Sequence, residues 1–425
     1  MPAPKEFRAP KGTRDVLPSE SARWAALVAR FGDLTERAGY GLALSPVFED
    51  VEVFQRVGET TDVVRKEMYD FHDKGGRHLA LRPEGTAQLV RAFVEHRPTP
   101  PWKVWYVGQY FRNEQPQAGR YRQFHQLGAE IIGTDDPDAD VEIVAVAWSF
   151  LAGVGLRRVT LKLNSLGDGE CRPPYRAMLL SFLEERRTSL CPEHQDRLQE
   201  NPLRVLDCKK PACVAATADA PRQLDHLCGP CTAHLARVQS GLESQEIPFV
   251  MEPRLVRGLD YYTRTTFEYA SDALETAQDA LGGGGRYDGL VEELGGPPTA
   301  AIGFSLGIER ILLACDVEAA FAQPARAVDV FVIDTTGGET ARDLTYALRE
   351  AGVGADRAFD KRSMKAQFKL ADRSGARLAL VVGADELEHD VVKVQALDSS
   401  EQETVARPDV VDVVRKRLSS GGENP

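Results

Sequence analysis

Phe111-Arg112-Asn113-Glu114-Gln115-Pro116-Gln117-Ala118-Gly119-Arg120-Tyr121-Arg122-Gln123-Phe124-His125-Gln126-Leu127-Gly128-Ala129-Glu130 is the stretch on which the fold turns. Upstream, Trp102 to Phe111 is rich in Val, Trp, Tyr and Phe and reads as a strand. Downstream, Phe124 to Ile132 reads as a second strand, with Phe124, Gln126, Gly128 and Glu130 on one face and His125, Leu127 and Ala129 on the other. Pro116 and Gly119 break the chain between them and leave Arg120 and Arg122 exposed in a loop. The expectation is an antiparallel pair with Arg112, Glu114, Gln126 and Glu130 around its loop end. Interleaved with Tyr121, Phe124 and His125, these charges suit a flat ligand with charged ends. Arginine adds a planar fork that grips phosphate or carboxylate at two oxygens.

Working outward, 425 residues allow two or three domains with sizeable cores. Hydrophobic and charged contents of 43% and 27% are those of an ordinary globular protein. Met1 to Gly12 carries Pro, Lys and Arg without an apolar run, so no signal peptide is expected. Val144 to Leu156 is too short and too interrupted to span a bilayer. A cytoplasmic protein without a membrane segment is the expectation. The net charge of −12 excludes indiscriminate nucleic-acid binding but leaves room for local basic patches.

Residues 13–40 carry a helical pattern through Trp24, Leu27, Val28, Phe31 and Leu34, followed by a short strand from Leu42 to Val47 containing Pro46. Met68 to Phe71 and His78 to Arg82 read as a hairpin turning at Lys74-Gly75-Gly76. Leu81-Arg82-Pro83-Glu84-Gly85-Thr86 switches from strand to helix, with Thr86 or a neighbour as cap and Glu84 left at the strand end. Asp138 to Leu151 reads as a helix and Val159 to Leu163 as a buried strand. In Leu281 to Asp288, the glycine run lacks a phosphate-loop ending, so its glycines are expected to let backbone approach a ligand. Ala301 to Leu312 is a strand and helix joined at a glycine, exposing Arg310 near the helix start. From Val328 the pattern is βαβα, a small α/β domain with a mostly parallel sheet. Its helix around Lys361 to Leu370 aligns Lys361, Lys365 and Lys369, with Met364 and Phe368 as the inward stripe.

Between Cys171 and Phe249 the texture turns helical, and the segment gathers six of the seven cysteines. Cys191-x-x-His194, Cys208, Cys213 and Cys228-x-x-Cys231 have spacings that suit tetrahedral Zn²⁺. Cys191, His194, Cys213, Cys228 and Cys231 compete for the four places of one structural site, against free thiols as the alternative. Cys315 is expected in the core.

Assembled, these segments resemble the class II aminoacyl-tRNA synthetases and, within them, the histidyl-tRNA synthetase family. The helix and strand with Pro46 resemble the first signature region. Phe111-Arg112-x-Glu114 with Phe124 resembles the second, and Gly303-Phe304-x-x-Gly307-x-Glu309-Arg310 the third. Arg257-Gly258-Leu259-Asp260-Tyr261-Tyr262 and Gly282 to Gly289 are similar to stretches specific to the histidine enzymes. The resemblance, from about Lys11 to about Leu418, implies an α+β fold: an antiparallel catalytic sheet flanked by helices, with a helical insertion and a C-terminal α/β anticodon-binding domain. The corresponding boundaries are 1–169 and 250–321 for the two parts of the catalytic domain, 170–249 for the insertion and 328–420 for the anticodon-binding domain.

What the resemblance implies chemically is ATP-dependent activation of L-histidine to histidyl-adenylate, then transfer to the 3′ end of tRNA(His), in a homodimer with Mg²⁺ accompanying ATP. Arg112 then holds the α-phosphate, Arg310 the γ-phosphate, and Arg257 is the catalytic arginine, while Glu114 and Phe124 frame the adenine. Glu84, Gly85, Thr86 and Gln126 take the histidine amino end, and Glu130, Tyr261 and Tyr262 read the imidazole, with Arg112 and Arg257 beside them. Arg120 and Arg122 are candidates for the tRNA acceptor end. The rival implication is a regulatory, histidine-sensing paralogue subunit of ATP phosphoribosyltransferase. That paralogue lacks the anticodon domain and much of the ATP machinery, whereas this chain has Arg112, Arg257, Arg310 and the segment beyond Val328.

Overall fold

The computed structural model describes residues 6–58, 61–274, 279–324, 328–360, 362–399 and 401–420. The chain divides into two compact units, Met1–Gln323 and Pro324–Pro425. The strands of the first unit are β1 (Gly41–Leu42), β2 (Phe48–Asp50), β3 (Tyr69–His72), β4 (His78–Leu81), β5 (Trp102–Phe111) and β6 (Gln123–Ile132). They continue with β7 (Val159–Ser165), β8 (Val250–Met251), β9 (Thr263–Ser271), β10 (Ala280–Arg286) and β11 (Ala301–Gly307).

Eight of them form one sheet in the order β1-β5-β6-β11-β10-β9-β7-β8. Its six inner strands are antiparallel, and only the two short edge strands pair in parallel. The expected hairpin is there: Trp102 pairs with Ile132 and Phe111 with Gln123. Alternation decides what each face does. Leu127 and Ala129 point to the helices Pro18–Arg37 and Pro137–Gly153, whose Leu27, Phe31, Val144 and Phe150 complete the main core. The other face carries Phe124, Gln126 and Glu130 and is left for the site.

Two stretches depart from expectation. Leu42 to Val47 is not a strand beyond the two residues of β1. The Ser45 and Pro46 carbonyls accept instead from Arg82 Nη1 (3.0 and 3.4 Å), and Pro46 also from Gln88 Nε2 (2.9 Å), so side chains replace a ladder partner. The glycine run, for its part, is strand β10, in the interior of the sheet between β9 and β11. Its glycines are required mainly by neighbouring backbone: a Cβ on Gly284 would fall inside van der Waals contact of the Gly303 carbonyl, and one on Gly283 would lie 2.8 Å from Arg257 Nη1. Gly284→Ala is therefore expected to destabilise the first unit by roughly 3 kcal/mol or more, read as a lowered denaturant midpoint. An unchanged midpoint would show that the strands can separate at no cost.

At the end of β10, Arg286 is fully buried and pairs with Asp140, which also hydrogen-bonds His234 at 3.0 Å. This ties the helix Gly229–Ser244 to the sheet. The segment before that helix, from Arg172–Glu184 through Pro192–Arg197 and Pro211–Ala216, is helical as expected. It has its own small core of Tyr175, Leu179, Leu183, Leu198 and Val205. β2, β4 and β3 make a separate three-stranded antiparallel sheet.

In the second unit, β12 (Val330–Asp334), β13 (Ala355–Arg357), β14 (Leu378–Val382), β15 (Val391–Ala396) and β16 (Gln402–Ala406) lie in the order β13-β12-β14-β15-β16. β13, β12 and β14 are parallel, but β15 and β16 are antiparallel, so the sheet is mixed rather than mostly parallel. The lysine-bearing helix is Met364–Ser374. Its buried positions are Gln367 and Ala371, with Phe368 half-buried, while Met364 is exposed. The stripe shifts because the Gln367 amide turns inward, donating to the Asp334 carbonyl (2.7 Å) and accepting from its N–H (3.0 Å). Lys365 and Lys369 are exposed; Lys361 lies outside the described residues. Among the described residues no helix is long and apolar enough to cross a membrane.

Candidate active site

A cavity of about 850 Å³ opens on the sheet face left free by the core helices. Its floor is strands β6, β10 and β11, and its rim comes from the 112–122 loop, the start of the helix Thr86–His96 and residues 252–262. Of the residues expected in a site, Glu84, Gly85, Thr86, Arg112, Glu114, Arg120, Phe124, Gln126, Arg257, Tyr261, Tyr262 and Arg310 all line it. Three guanidinium groups from distant parts of the chain thus face one space. Arg112 is held by the Pro83 carbonyl (Nε–O 2.9 Å), with its guanidinium 5.2 Å from the centroid of the Phe124 ring. Arg257 Nη1 donates to Glu268 Oε2 at 3.2 Å, while its buried Nε finds no partner among the described residues. Arg310 opens the helix Ile308–Val317. That helix is pinned to β6 by Glu309, whose carboxylate accepts from the His125 backbone N–H (3.1 Å) and contacts its Nδ1 (2.7 Å).

At the other end of the cavity the polar groups are buried. Glu84, not Thr86, caps its helix: the carboxylate accepts from the Thr86 and Ala87 N–H groups at 2.7 and 2.8 Å. Thr86 is already the first helical residue, so its hydroxyl is released to donate to Glu130 Oε1 (2.9 Å). Burial raises the Glu84 carboxyl above the usual range despite these bonds, and the Tyr261 hydroxyl lies 3.4 Å from it. Gln126 Oε1 is buried without a partner among the described residues, an acceptor facing the space.

Two expected residues do not line the cavity. Glu130 lies one layer beneath its wall, fully buried, accepting from Thr86, from Tyr106 (3.4 Å) and from Tyr287 (2.6 Å). Burial pushes its pKa up to about 8, against the opposing pull of the Tyr287 and Thr86 hydroxyls. Arg122 folds back, its Nε donating to the Glu114 carbonyl at 3.1 Å, and Arg120 pairs with the Glu114 carboxylate. Both loop arginines are half-buried rather than exposed, because the loop's own acceptors capture them. Tyr106, Tyr287, Lys162 and Glu268 were not foreseen. Tyr106 and Tyr287 meet at Glu130, and Lys162 meets Glu268, only through strand pairing, and a lone side chain in a strand carries no local signal of that.

Set against known proteins, a family profile described as "Histidyl-tRNA synthetase" matches residues 12–311, and one described as "Anticodon binding domain" matches residues 328–417. This chain belongs to the histidyl-tRNA synthetase family. Among its relatives, the histidine–tRNA ligase of Moorella thermoacetica is 46% identical over 418 residues, covering 97% of this chain and 99% of that protein. The histidine–tRNA ligase of Rhodococcus erythropolis is 48% identical over 413 residues, covering 96% and 97%. The crystal structure of apo S. aureus histidyl-tRNA synthetase superposes with a TM-score of 0.82 at 35% identity, covering 96% of this chain and all of that one. The synthetase fold accounts for the antiparallel sheet and for the second unit with its α/β sheet.

In this member of the histidyl-tRNA synthetase family, the cysteines do not compete for one site. They form two clusters, Cys191, His194, Cys208 and Cys213, and separately Asp168, Cys171, Cys228 and Cys231. In each, the four ligand atoms lie within 4.8 Å of one another. Cys228 and Cys231 leave the first group because they begin the helix Gly229–Ser244, which returns to the exit of β7 rather than to the small helical core. Cys315 is buried in the main core, as expected.

Proposed function

We propose that this chain is a histidine–tRNA ligase that activates L-histidine with ATP and transfers it to the 3′ end of tRNA(His). The observation that carries the reading is the convergence of Arg112, Arg257 and Arg310 on one cavity that ends in Glu84, Thr86, Tyr261 and Tyr262. A histidine carboxylate oxygen attacks the α-phosphorus of ATP, and the bond to the pyrophosphate oxygen breaks. Charge grows on the phosphoryl oxygens, where preorganised cations contribute most. Arg112 and Arg257 hold the α-phosphate and Arg310 the γ-phosphate, with Mg²⁺ bound to the triphosphate. Phe124, stacked against Arg112, and Glu114 frame the adenine.

The ammonium end of histidine is held by Glu84, Thr86 and Gln126, whose orphaned Oε1 supplies an acceptor. Tyr261 and Tyr262 line the imidazole end, and Glu130 is reached through the Thr86 and Tyr106 hydroxyls bonded to it. A substrate lacking a ring N–H forgoes hydrogen bonding to this polar end of the cavity, which supports strong discrimination without an editing step. Arg120 and Arg122 approach the tRNA end once released from Glu114, and the second unit takes the anticodon. The exposed Leu42, Leu44 and Phe48 around Pro46 support a two-fold contact there, giving a homodimer. Cys191, His194, Cys208 and Cys213 hold a structural zinc; Cys191 Sγ and Cys213 Sγ lie 3.1 and 3.7 Å from His194 Nδ1. The cytoplasm is the compartment for such a reaction.

Pyrophosphate exchange into ATP with a panel of amino acids tests the reading. Exchange with histidine at least about 10⁴-fold above any other amino acid is expected. Histidine binding without exchange would favour the regulatory paralogue instead.

A further inference from the structure

Asp168 and Cys171 stand where β7 leaves the sheet, at the start of the helix Arg172–Glu184. Cys228 and Cys231 stand at the start of the helix Gly229–Ser244. Neither pair is needed by the ligase chemistry, yet the four side chains meet. Cys171 Sγ lies 3.8 Å from Cys231 Sγ and 3.5 Å from Asp168 Oδ1, and Cys228 Sγ lies 3.6 Å from the same oxygen.

These separations have a simple geometric meaning. Metal–ligand bonds of about 2.3 Å to sulfur and about 2.0–2.2 Å to oxygen give tetrahedral edges of about 3.8 Å between sulfurs and about 3.5 Å between sulfur and oxygen. A disulfide would need about 2.05 Å, and all seven cysteines are free. We infer that Asp168, Cys171, Cys228 and Cys231 form a second structural zinc site that staples the root of the helical segment to the catalytic sheet.

The surroundings suit a thiolate-rich centre. Both pairs sit at helix N-termini, where partial positive charge favours thiolates. The Asp168 N–H donates to Cys171 Sγ at 3.3 Å, and Arg264 Nη2 lies 3.5 Å from Asp168 Oδ2, offsetting the excess negative charge. The ion closes the whole of residues 172–227 into a loop, within which the first cluster forms a smaller one. It is also linked to the cavity wall through Tyr262. Leu166 and Gly167 pair with Arg264 through backbone hydrogen bonds of 2.8 and 2.7 Å, and Arg172 Nη1 donates to the Tyr262 carbonyl at 2.9 Å. The site therefore holds the turn that carries Tyr262.

The inference is independent of the aminoacylation reading, and so is its test. Full-length chain is purified without chelator, and its zinc content is compared with that of a Cys228→Ala/Cys231→Ala variant. The variant is expected to hold one zinc fewer per chain, while Cys191→Ala/Cys213→Ala separately reports the first cluster. Equal zinc in the wild type and the Cys228→Ala/Cys231→Ala variant overturns the second site. Should that variant fail to fold, alkylation of the wild type decides. Cys228 is half-buried and should react about tenfold faster after chelation, as a ligand released from its metal does. The same rate with and without chelator overturns the proposal.

Discussion

Replacing Arg257 with alanine is expected to lower histidine-dependent pyrophosphate exchange about 10³-fold, with far smaller changes in KM for ATP and histidine. The magnitude follows from where the guanidinium is held. Glu268 fixes one end of Arg257 at 3.2 Å, and Tyr262 lies under it with 5.9 Å to its ring centroid. The buried Nε has no partner among the described residues, which on the proposed reading leaves a donor for a phosphoryl oxygen. Such a donor needs no reorganisation when charge develops, and a loss of about 4 kcal/mol in transition-state binding is the expected consequence. Arg257→Lys keeps a cation but loses the two-pronged grip and should recover no more than about tenfold. Steady-state exchange with both variants, alongside their melting midpoints, checks this. A loss under tenfold in the alanine variant would remove Arg257 from the chemical step.

Glu130→Gln should weaken histidine activation about 10²-fold in kcat/KM and change its pH dependence. With the empty-site carboxyl at about 8 and free imidazole near 6.5, pocket and ligand together carry one proton between these values. Binding that leaves one proton shared between the imidazole and Glu130, relayed through the Thr86 and Tyr106 hydroxyls, then exchanges none on that plateau. Below about pH 6.5 a proton must be released, and above about pH 8 one must be taken up, so affinity falls on both sides. Equilibrium dialysis of histidine from pH 5.5 to 9.5 should show both limbs, and in Glu130→Gln the alkaline limb at about 8 should vanish.

The same shift bears on stability. The carboxyl rises from 4.5 unfolded to about 8 folded, so its contribution is whole below 4.5 and is lost as pH rises through about 8. The empty protein should lose stability across that window more than Glu130→Gln does. Identical pH profiles for the two chains would show that Glu130 does not titrate there.

The fold was most legible where one strand face was apolar and the other carried charge. Trp102 to Phe111 announced itself by its Val, Trp, Tyr and Phe and Phe124 to Ile132 by its two distinct faces, and the structure pairs them antiparallel as expected. The long helix Pro137–Gly153 followed from its apolar run. The glycine run Gly282–Gly285 misled because side-chain pattern is the only local sign of a strand, and glycine has none. What makes it a strand is the backbone on either side. Met364 was misassigned because a 3.6-residue period does not say where the inward stripe begins, and Gln367 was drawn in by the end of β12.

Residue type and short-range spacing were enough to give most of the local elements, the family resemblance and the identity of the arginines. Packing is what brings Arg112, Arg257 and Arg310 to one cavity, puts Glu130 beneath its wall and divides the cysteines into two clusters. Each of those is a distance between residues far apart along the chain, set by how the sheet and helices pack, and spacing in sequence carries no record of it.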